Sequence, residues 1–504
     1  MIELGLQRIS RLLSTTALPW KAIHVAGTNG KGTVCHLTSA LLNAYNRSQY
    51  REKLQQSPVT HGRFTSPHLV DRWDCIAFSN GGASHHAMDV VPERDFFEEE
   101  SAVKAFNAQH NINASEFEIL TATAFRLFTQ RELDVAVVEV GLGGLLDATN
   151  ILGEPVSGST ETKLIRKRFN PAKWRPKPLI TAITQIGLDH RGFLGNTRAE
   201  IATQKAGIMK SGVPVAWARD AELDILFESK ARELHAPVIR WENILPLMTP
   251  SAWQDLSPPR RINGELAIIS AWTALTNLGR IPFDATQDDE TSTTTTNTKN
   301  LRDNLLAEWQ TIIQTHTLPG RQETISLAPI MRTSTSKTTT ALLDGAHNSD
   351  GIHHLAQTVQ NTLRTRNKKT PTPIIWILAL SVSSDRNPTP ILQTLLQPGD
   401  RVFAVEFGPV DGMDWVQALS AEEIAGVAEE VMEMKKMEME MEMGSVGGRE
   451  DVQIWKRDLE GALRGACELA GRVGGEVVVC GSLYLVGDVW RLLREREGER
   501  EVGR

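Results

Sequence analysis

The chain has little cysteine and no excess of positive charge. Only four cysteines occur in 504 residues, at Cys35, Cys75, Cys467 and Cys480, and no two form a C-x-x-C pair. That spacing argues against a structural zinc site and for a reducing compartment. No apolar run reaches the ~20 residues of a membrane span. The start, M-I-E-L-G-L-Q-R-I-S-R-L-L, has no signal-peptide core, and strand-like sequence begins by residue 22, leaving no room for a long removable leader. A cytoplasmic protein is expected. Arg8 and Arg11 carry a weak mitochondrial signal, which Glu3 opposes. The formal net charge of −7 excludes a basic nucleic-acid footprint. No nucleic-acid or membrane partner is therefore expected. An anionic substrate would need local positive groups.

What is present is a rhythm. Apolar runs at 22–26, 133–140, 179–186, 213–217, 340–344, 374–380, 401–406 and 476–480 alternate with helical stretches. Apolar strands between helices predict parallel sheets covered on both faces, an α/β fold. The length predicts two domains. L-P-G-R at 318–321 reads as a hinge, so the domains are expected at 1–317 and 318–504. Leu4, Ile9, Leu12 and Leu13 suggest one face of an N-terminal helix. Three stretches break the rhythm: 154–178 (basic, Pro- and Ser-rich), 284–300 (Asp- and Thr-rich) and 429–450 (a Met/Glu repeat). All three read as surface insertions. The repeat could extend a helix, but it alternates at period two and shows no helical stripe.

The densest chemical signal is H-V-A-G-T-N-G-K-G-T at 24–33. A strand enters it, and a helix is expected from His36 to Tyr45. Glycines let backbone amides wrap an anion, and the helix N-terminus adds partial positive charge. Asn29, Gly30, Lys31, Gly32 and Thr33 would hold phosphates, with Lys31 on the outer ones and Thr33 near Mg²⁺. Gly32 separates the lysine from the hydroxyl, unlike a standard Walker loop. Ser66, in T-S-P-H-L, offers a hydroxyl. Glu139 ends the strand 133–140 before V-G-L-G-G, where open α/β sheets place ligands, and suits a Mg²⁺ ligand or a water-organising base. Asp189-His190 follows the next strand in the same topological place, where an imidazole could bind a metal ion. Thr197 to Glu200 is a capping-box pattern opening a helix that carries Lys205 among small residues. Asp344, in D-G-A-H-N, sits at a further strand end, and Arg321 lies at the hinge. An Arg and an Asp from the second domain would build a site across the cleft.

In this order these motifs resemble the folylpolyglutamate synthase/dihydrofolate synthase family of ATP-dependent ligases, relatives of the Mur ligases. The likeness extends through F-T-S-P-H-L (64–69), F-E-I-L-T-A-T-A-F (117–125), E-V-G-L-G-G-L-L-D-A-T-N (139–150), I-T-Q-I-G-L-D-H (183–190), Q-K-A-G-I (204–208), L-P-G-R, D-G-A-H-N and G-S-L-Y-L-V-G (481–487). It implies an N-terminal P-loop, Mur-ligase-like ATPase domain and a smaller C-terminal Rossmann-like α/β domain, in a monomer. L-D-A-T-N resembles the dihydrofolate synthases and bifunctional enzymes more than the eukaryotic folylpolyglutamate synthases, and F-G-P-V-D-G-M-D-W-V (407–416) resembles the fungal dihydrofolate synthases. The expected reaction joins L-glutamate to 7,8-dihydropteroate at the expense of ATP, through an acyl phosphate. Domain closure about 318–321 would exclude water. Two alternatives stay open: a folylpolyglutamate synthase or bifunctional enzyme, and a non-catalytic nucleotide-binding scaffold.

The resemblance also implies roles. Ser66, Glu139 and His190 match Mg²⁺ ligands, and Lys205 matches a lysine that is carbamylated. Arg321 and Asp344 match ATP contacts. Phe117 and Glu118, with Leu146, Asp147 and Ala148, match pterin-binding segments. Three positions depart from the family. Leu145 stands where Arg is common, and Gln204 stands for Glu. Aligning L-A-I-I-S-A (266–271) with the family's H-Q-x-x-N-A puts Ser270 in place of an asparagine that contacts ATP.

Overall fold

Six short parallel or near-edge strands and a seventh build the first sheet of the computed structural model. They are β1 (Lys21–Ala26), β2 (His61–Phe64), β3 (Ile76–Ser79), β4 (Met88–Val90), β5 (Val135–Glu139), β6 (Ile180–Ile183) and β7 (Val215–Trp217). Their order is β4-β3-β2-β5-β1-β6-β7. The neighbours β2-β5-β1-β6-β7 pair in parallel, and β3 and β4 add antiparallel pairs at the β2 edge. The structure describes residues 5–79, 88–153, 175–244, 253, 256–282, 293–331, 339–366, 371–382, 387–443 and 452–502.

Helices cover both faces, as the continuous apolar strands require. On one face Val25, Val135 and Val137 pack with the helices Lys31–Arg47, Pro258–Asn277 and Thr293–Thr315. On the other, Ala136, Val138 and Phe64 pack with Phe125 and Phe128 of the helix Glu116–Gln130 and with Ile9 and Leu12 of the helix Gln7–Leu12. The N-terminal helix face is thus present for Ile9, Leu12 and Leu13, while Leu4 lies outside the described residues.

The second sheet holds β8 (Glu323–Ser326), β9 (Thr340–Leu343), β10 (Ile374–Leu378), β11 (Arg401–Val405), β12 (Val452–Lys456) and β13 (Glu476–Cys480), in the order β12-β11-β10-β13-β9-β8. Only β8 is antiparallel. A buried Arg364–Asp400 pair anchors this sheet. Arg364 donates to both Asp400 oxygens at 2.7 and 2.6 Å, and the Trp376 indole and the Ile374 amide donate to the same carboxylate.

The chain divides into two units, residues 1–68 with 73–316, and residues 69–72 with 317–504. A single linear cut misses the short segment Leu69–Arg72. The helix Leu483–Val502 holds it: Arg491 donates to the Val70 carbonyl at 2.9 Å, and Arg494 pairs with Asp71 at 2.9 Å. Gly487 leaves room for the Leu69 carbonyl, which any β-carbon there would overlap.

Four sequence expectations need correction. The helix after the glycine loop starts at Lys31, five residues before His36, because a first turn needs no apolar stripe. Of the Met/Glu repeat, 429–443 continues the helix Ala421–Met443. Ile424, Ala425, Ala428 and Val431 supply the buried stripe that carries it, while Met434 and Met437 are exposed. Of the Thr-rich stretch, 293–300 opens the helix Thr293–Thr315. The strands stop earlier than the apolar runs, β5 at Glu139 and β6 at Ile183. Residues 154–174, 284–292 and 444–450 of the three insertions lie outside the described residues.

Candidate active site

Parallel pairing brings the carboxyl ends of β1, β2, β5 and β6 to one side of the first sheet. The glycine loop leaves β1 there. Thr28 and Asn29 donate backbone N–H to the Gln185 carbonyl at 2.8 and 3.3 Å, tying the loop to the segment after β6. Gly30 takes φ +93°, where a side chain is strained, and a β-carbon on it would collide with the Asn263 carboxamide. The helix then begins at Lys31, with no side chain capping its N-terminus. Its first N–H groups point past the loop unclaimed by a cap, as anion binding requires.

Around this N-terminus the structure gathers Lys31, Glu139 and Ser66. The Glu139 Oε2 accepts the Ser66 amide at 3.2 Å, and Lys31 Nζ lies 3.9 Å from Oε1. A β-carbon on Gly32 would stand 3.4 Å from that carboxylate, so Gly32 lets the helix start approach it. Lys31 also donates to the Thr28 carbonyl at 3.3 Å.

Lys205 lies in the last turn of the helix Arg198–Ala206, whose capping box at Thr197 and Glu200 forms as expected. It is buried, and its Nζ donates to the Gly27 carbonyl at 2.7 Å. Burial pushes its pKa down to about 7; the Lys31 charge adds to this, and Asp189 and Asp147 oppose it. The adjacent His190 is half-exposed, in the left-handed region at φ +53°, with Nε2 3.9 Å from Asp189. Among the described residues, no group of three or more His, Cys, Asp or Glu side chains converges. Mg²⁺ prefers oxygen ligands and completes its shell with phosphates and water. The Glu139 carboxylate, held by the Ser66 amide beside the helix start, offers one such oxygen donor.

The glycines after β5 admit a different neighbour. A β-carbon on Gly141 would overlap the Phe117 ring, which also stacks on Phe64 at 6.2 Å. Asp147 is buried and accepts from the Leu142 amide at 2.8 Å and from the Thr149 amide and hydroxyl; burial raises its pKa. Thr149 in turn meets His24 Nε2 at 2.9 Å. Ala148 is buried, and Leu145 and Leu146 are exposed. Glu118 uses one oxygen within the fold: Oε2 closes a capping box with Ser115 and pairs with Arg8 at 2.8 Å, while the buried Oε1 has no hydrogen-bond partner.

In the second unit Arg321 and Asp344 are neighbours. A β-carbon on Gly345 would lie 3.1 Å from Arg321 Nη1, and Asp344 accepts the Ala346 and Gln322 amides at 2.7 and 3.1 Å. Burial raises the Asp344 pKa, against the pull of Arg321.

Two positions correct or extend the sequence reading. Ser270 is fully buried in the helix Pro258–Asn277, its hydroxyl without a partner, and does not stand at the loop. The asparagine beside the loop is Asn263, two turns earlier, whose Oδ1 is buried and unpartnered. The N-G-E-L-A run at 263–267 was the available signal.

Residues 324–492 match the family model for the dihydrofolate synthetase C-terminal domain. Over 500 residues the chain is 29% identical to the dihydrofolate synthetase of Saccharomyces cerevisiae, covering 97% of this chain and 98% of that one. A probable dihydrofolate synthetase of Schizosaccharomyces pombe is 29% identical over 506 residues, covering 98% and 99%. Among solved structures, Escherichia coli FolC in complex with DHPP and ADP superposes with a TM-score of 0.63 at 20% identity, covering 98% of this chain and 94% of that one. A Mycobacterium tuberculosis folylpolyglutamate synthase complexed with ADP and AMPPCP gives 0.64 at 22%, covering 97% and 95%. The glycine loop, the two α/β sheets and likeness along nearly the whole length agree: the chain is similar from end to end to the fungal dihydrofolate synthetases, and its fold is that of the solved folylpolyglutamate synthase and FolC structures.

Proposed function

We propose that this chain is an ATP-dependent ligase that joins L-glutamate to 7,8-dihydropteroate in folate synthesis. The observation that carries the reading is end-to-end likeness to two fungal dihydrofolate synthetases, on a chain whose uncapped helix start sits beside Lys31 and Glu139.

The carboxylate of dihydropteroate attacks the γ-phosphorus of ATP, ADP leaves, and an acyl phosphate forms. The glutamate amine then attacks the acyl carbon, phosphate leaves, and the amide remains. Such transfer needs positioning and charge neutralisation more than covalent help. The amides from Asn29 to Thr33 receive the phosphates. Lys31 exchanges its 3.9 Å contact with Glu139 for the outer phosphate. Mg²⁺, when bound, neutralises the transferring phosphoryl group, and Thr33, Ser66, Glu139 and His190 are its assigned ligands. Asn263 faces the loop as a nucleotide contact. Lys205, with a pKa near 7, is partly neutral in neutral solution and can accept CO₂ as a carbamate, becoming an anion beside the site. Phe117, Glu118 and the segment Leu146 to Ala148 are assigned to the pterin. Arg321 and Asp344 keep the ATP-contact role that the resemblance implies. The enzyme is read as a cytoplasmic monomer handling small molecules, and no described helix is long and apolar enough to cross a membrane.

Purified protein with ATP and glutamate, offered dihydropteroate or monoglutamyl tetrahydrofolate in parallel, tests the reading. Ligation of dihydropteroate alone is expected. Preference for the reduced folate would make it a folylpolyglutamate synthase. ADP release without ligation to either acceptor would overturn the ligase.

A further inference from the structure

The strand β2 turns His61 and Arg63 towards the helix Lys31–Arg47. The registers show this: Arg63 pairs with Val137, which lies on that face of the sheet with Val25 and Val135. Side chains two apart share a face. His61 has its partner nearby. Its Nδ1 lies 3.2 Å from the Val59 carbonyl and its Nε2 3.2 Å from the Ser39 carbonyl, and the single N–H of the neutral ring donates to one of them. Arg63, two residues on, faces Cys35, one helical turn nearer the N-terminus. Glu139 comes next on the same face, beside Gly32. The row of polar side chains therefore climbs beneath the helix towards its uncapped start.

Arg63 is 91% buried by its 9% relative exposure, and its Nε has no hydrogen-bond partner. Burial lowers its pKa to about 10, while Cys35, Asp74 and Glu139 pull it upward, so it remains a cation at neutral pH. A buried guanidinium is destabilising unless a hydrogen-bonded anion meets it. Among the described residues no ion pair satisfies it, and its fork suits carboxylate and phosphate oxygens.

We propose that Arg63 is an oxyanion anchor of the phosphate-loop site, a second fixed cation that works with Lys31 and is completed by the ligand. The oxyanion comes either from the nucleotide's phosphoryl group or from the acceptor's carboxylate. The assignment rests on the ligase reading above and adds to it a binding residue on β2.

The full chain and its Arg63→Leu, Arg63→Gln and Arg63→Lys variants are compared by thermal melting and by calorimetric titration. One arm uses Mg-AMP-PNP, the other dihydropteroate. Arg63→Leu is expected to melt at or above the parent temperature, since an unmatched buried charge is gone. One ligand should bind at least tenfold more weakly, and Arg63→Lys should recover part of the loss. Loss in the nucleotide arm identifies the phosphoryl oxygens; loss in the dihydropteroate arm identifies the carboxylate. Parental binding of both ligands by Arg63→Leu overturns the proposal while leaving the ligase reading intact. Where Arg63→Leu does not fold, Arg63→Gln decides in the same way, and failure of both to fold makes the guanidinium structural and overturns it. A parent that binds neither ligand overturns both readings.

Discussion

At the scale of single residues, the site turns on two lysines in opposite circumstances. Lys31 is held by a weak contact with Glu139 and is free to move to a phosphate. Lys31→Ala should lower turnover by roughly 10²–10³-fold with an unchanged melting temperature, read by steady-state kinetics and calorimetry. Lys205 is buried, with its pKa down from 10.5 to about 7. Between those values the unfolded chain holds a proton that the folded chain lacks, so this group makes stability rise with pH, by up to about 1.4 kcal/mol per pH unit. Below the lower value the destabilisation is complete. In bicarbonate-free buffer Lys205→Met should therefore be more stable than the parent below neutrality, with the gap closing towards pH 10. Urea titrations across that range check it, and a constant gap would refute it. Lys31 was legible because glycines, lysine and threonine follow one another in a single stretch. Asn263 and Arg63 were not. Each meets the site only because a distant helix or strand packs there, and neither breaks the local pattern.

At the scale of elements, misreadings came from judging helices by their stripe alone. The turn from Lys31 to Val34 carries no apolar pattern, yet it is helical because Gly30 sets the entry and Val34 donates back to the Gly30 carbonyl at 2.9 Å. The Met/Glu repeat alternates at period two, yet it follows a stripe from Ala421 to Val431 that has already set the helix. The capping box at Thr197 was legible from local chemistry, and Thr197→Ala should destabilise by about 1 kcal/mol. If the cap also places Lys205, bicarbonate-dependent activity should fall with it; a denaturation curve and a bicarbonate titration report the two effects separately. Gly141→Ala should place a methyl group into the Phe117 ring and cost about 1–3 kcal/mol, seen as a lower urea midpoint.

At the scale of the whole molecule, the alternation of strands and helices foretold two covered sheets, whereas their edges did not show. The antiparallel strands β3, β4 and β8 lie in short segments without the apolar continuity of the centre. The second unit depends on one buried charge pair. Arg364→Leu leaves Asp400 buried without its guanidinium and should destabilise that unit by about 3–5 kcal/mol, measured as an earlier unfolding transition on heating. Leu69–Arg72 has a consequence for synthesis. These residues leave the ribosome early, but the arginines that grip them, Arg491 and Arg494, follow 421 and 423 residues later. Those two contacts form only after that whole stretch has been made. A chain truncated before residue 483 should thus be cut faster at 69–72 by protease than the full chain; equal rates would refute this.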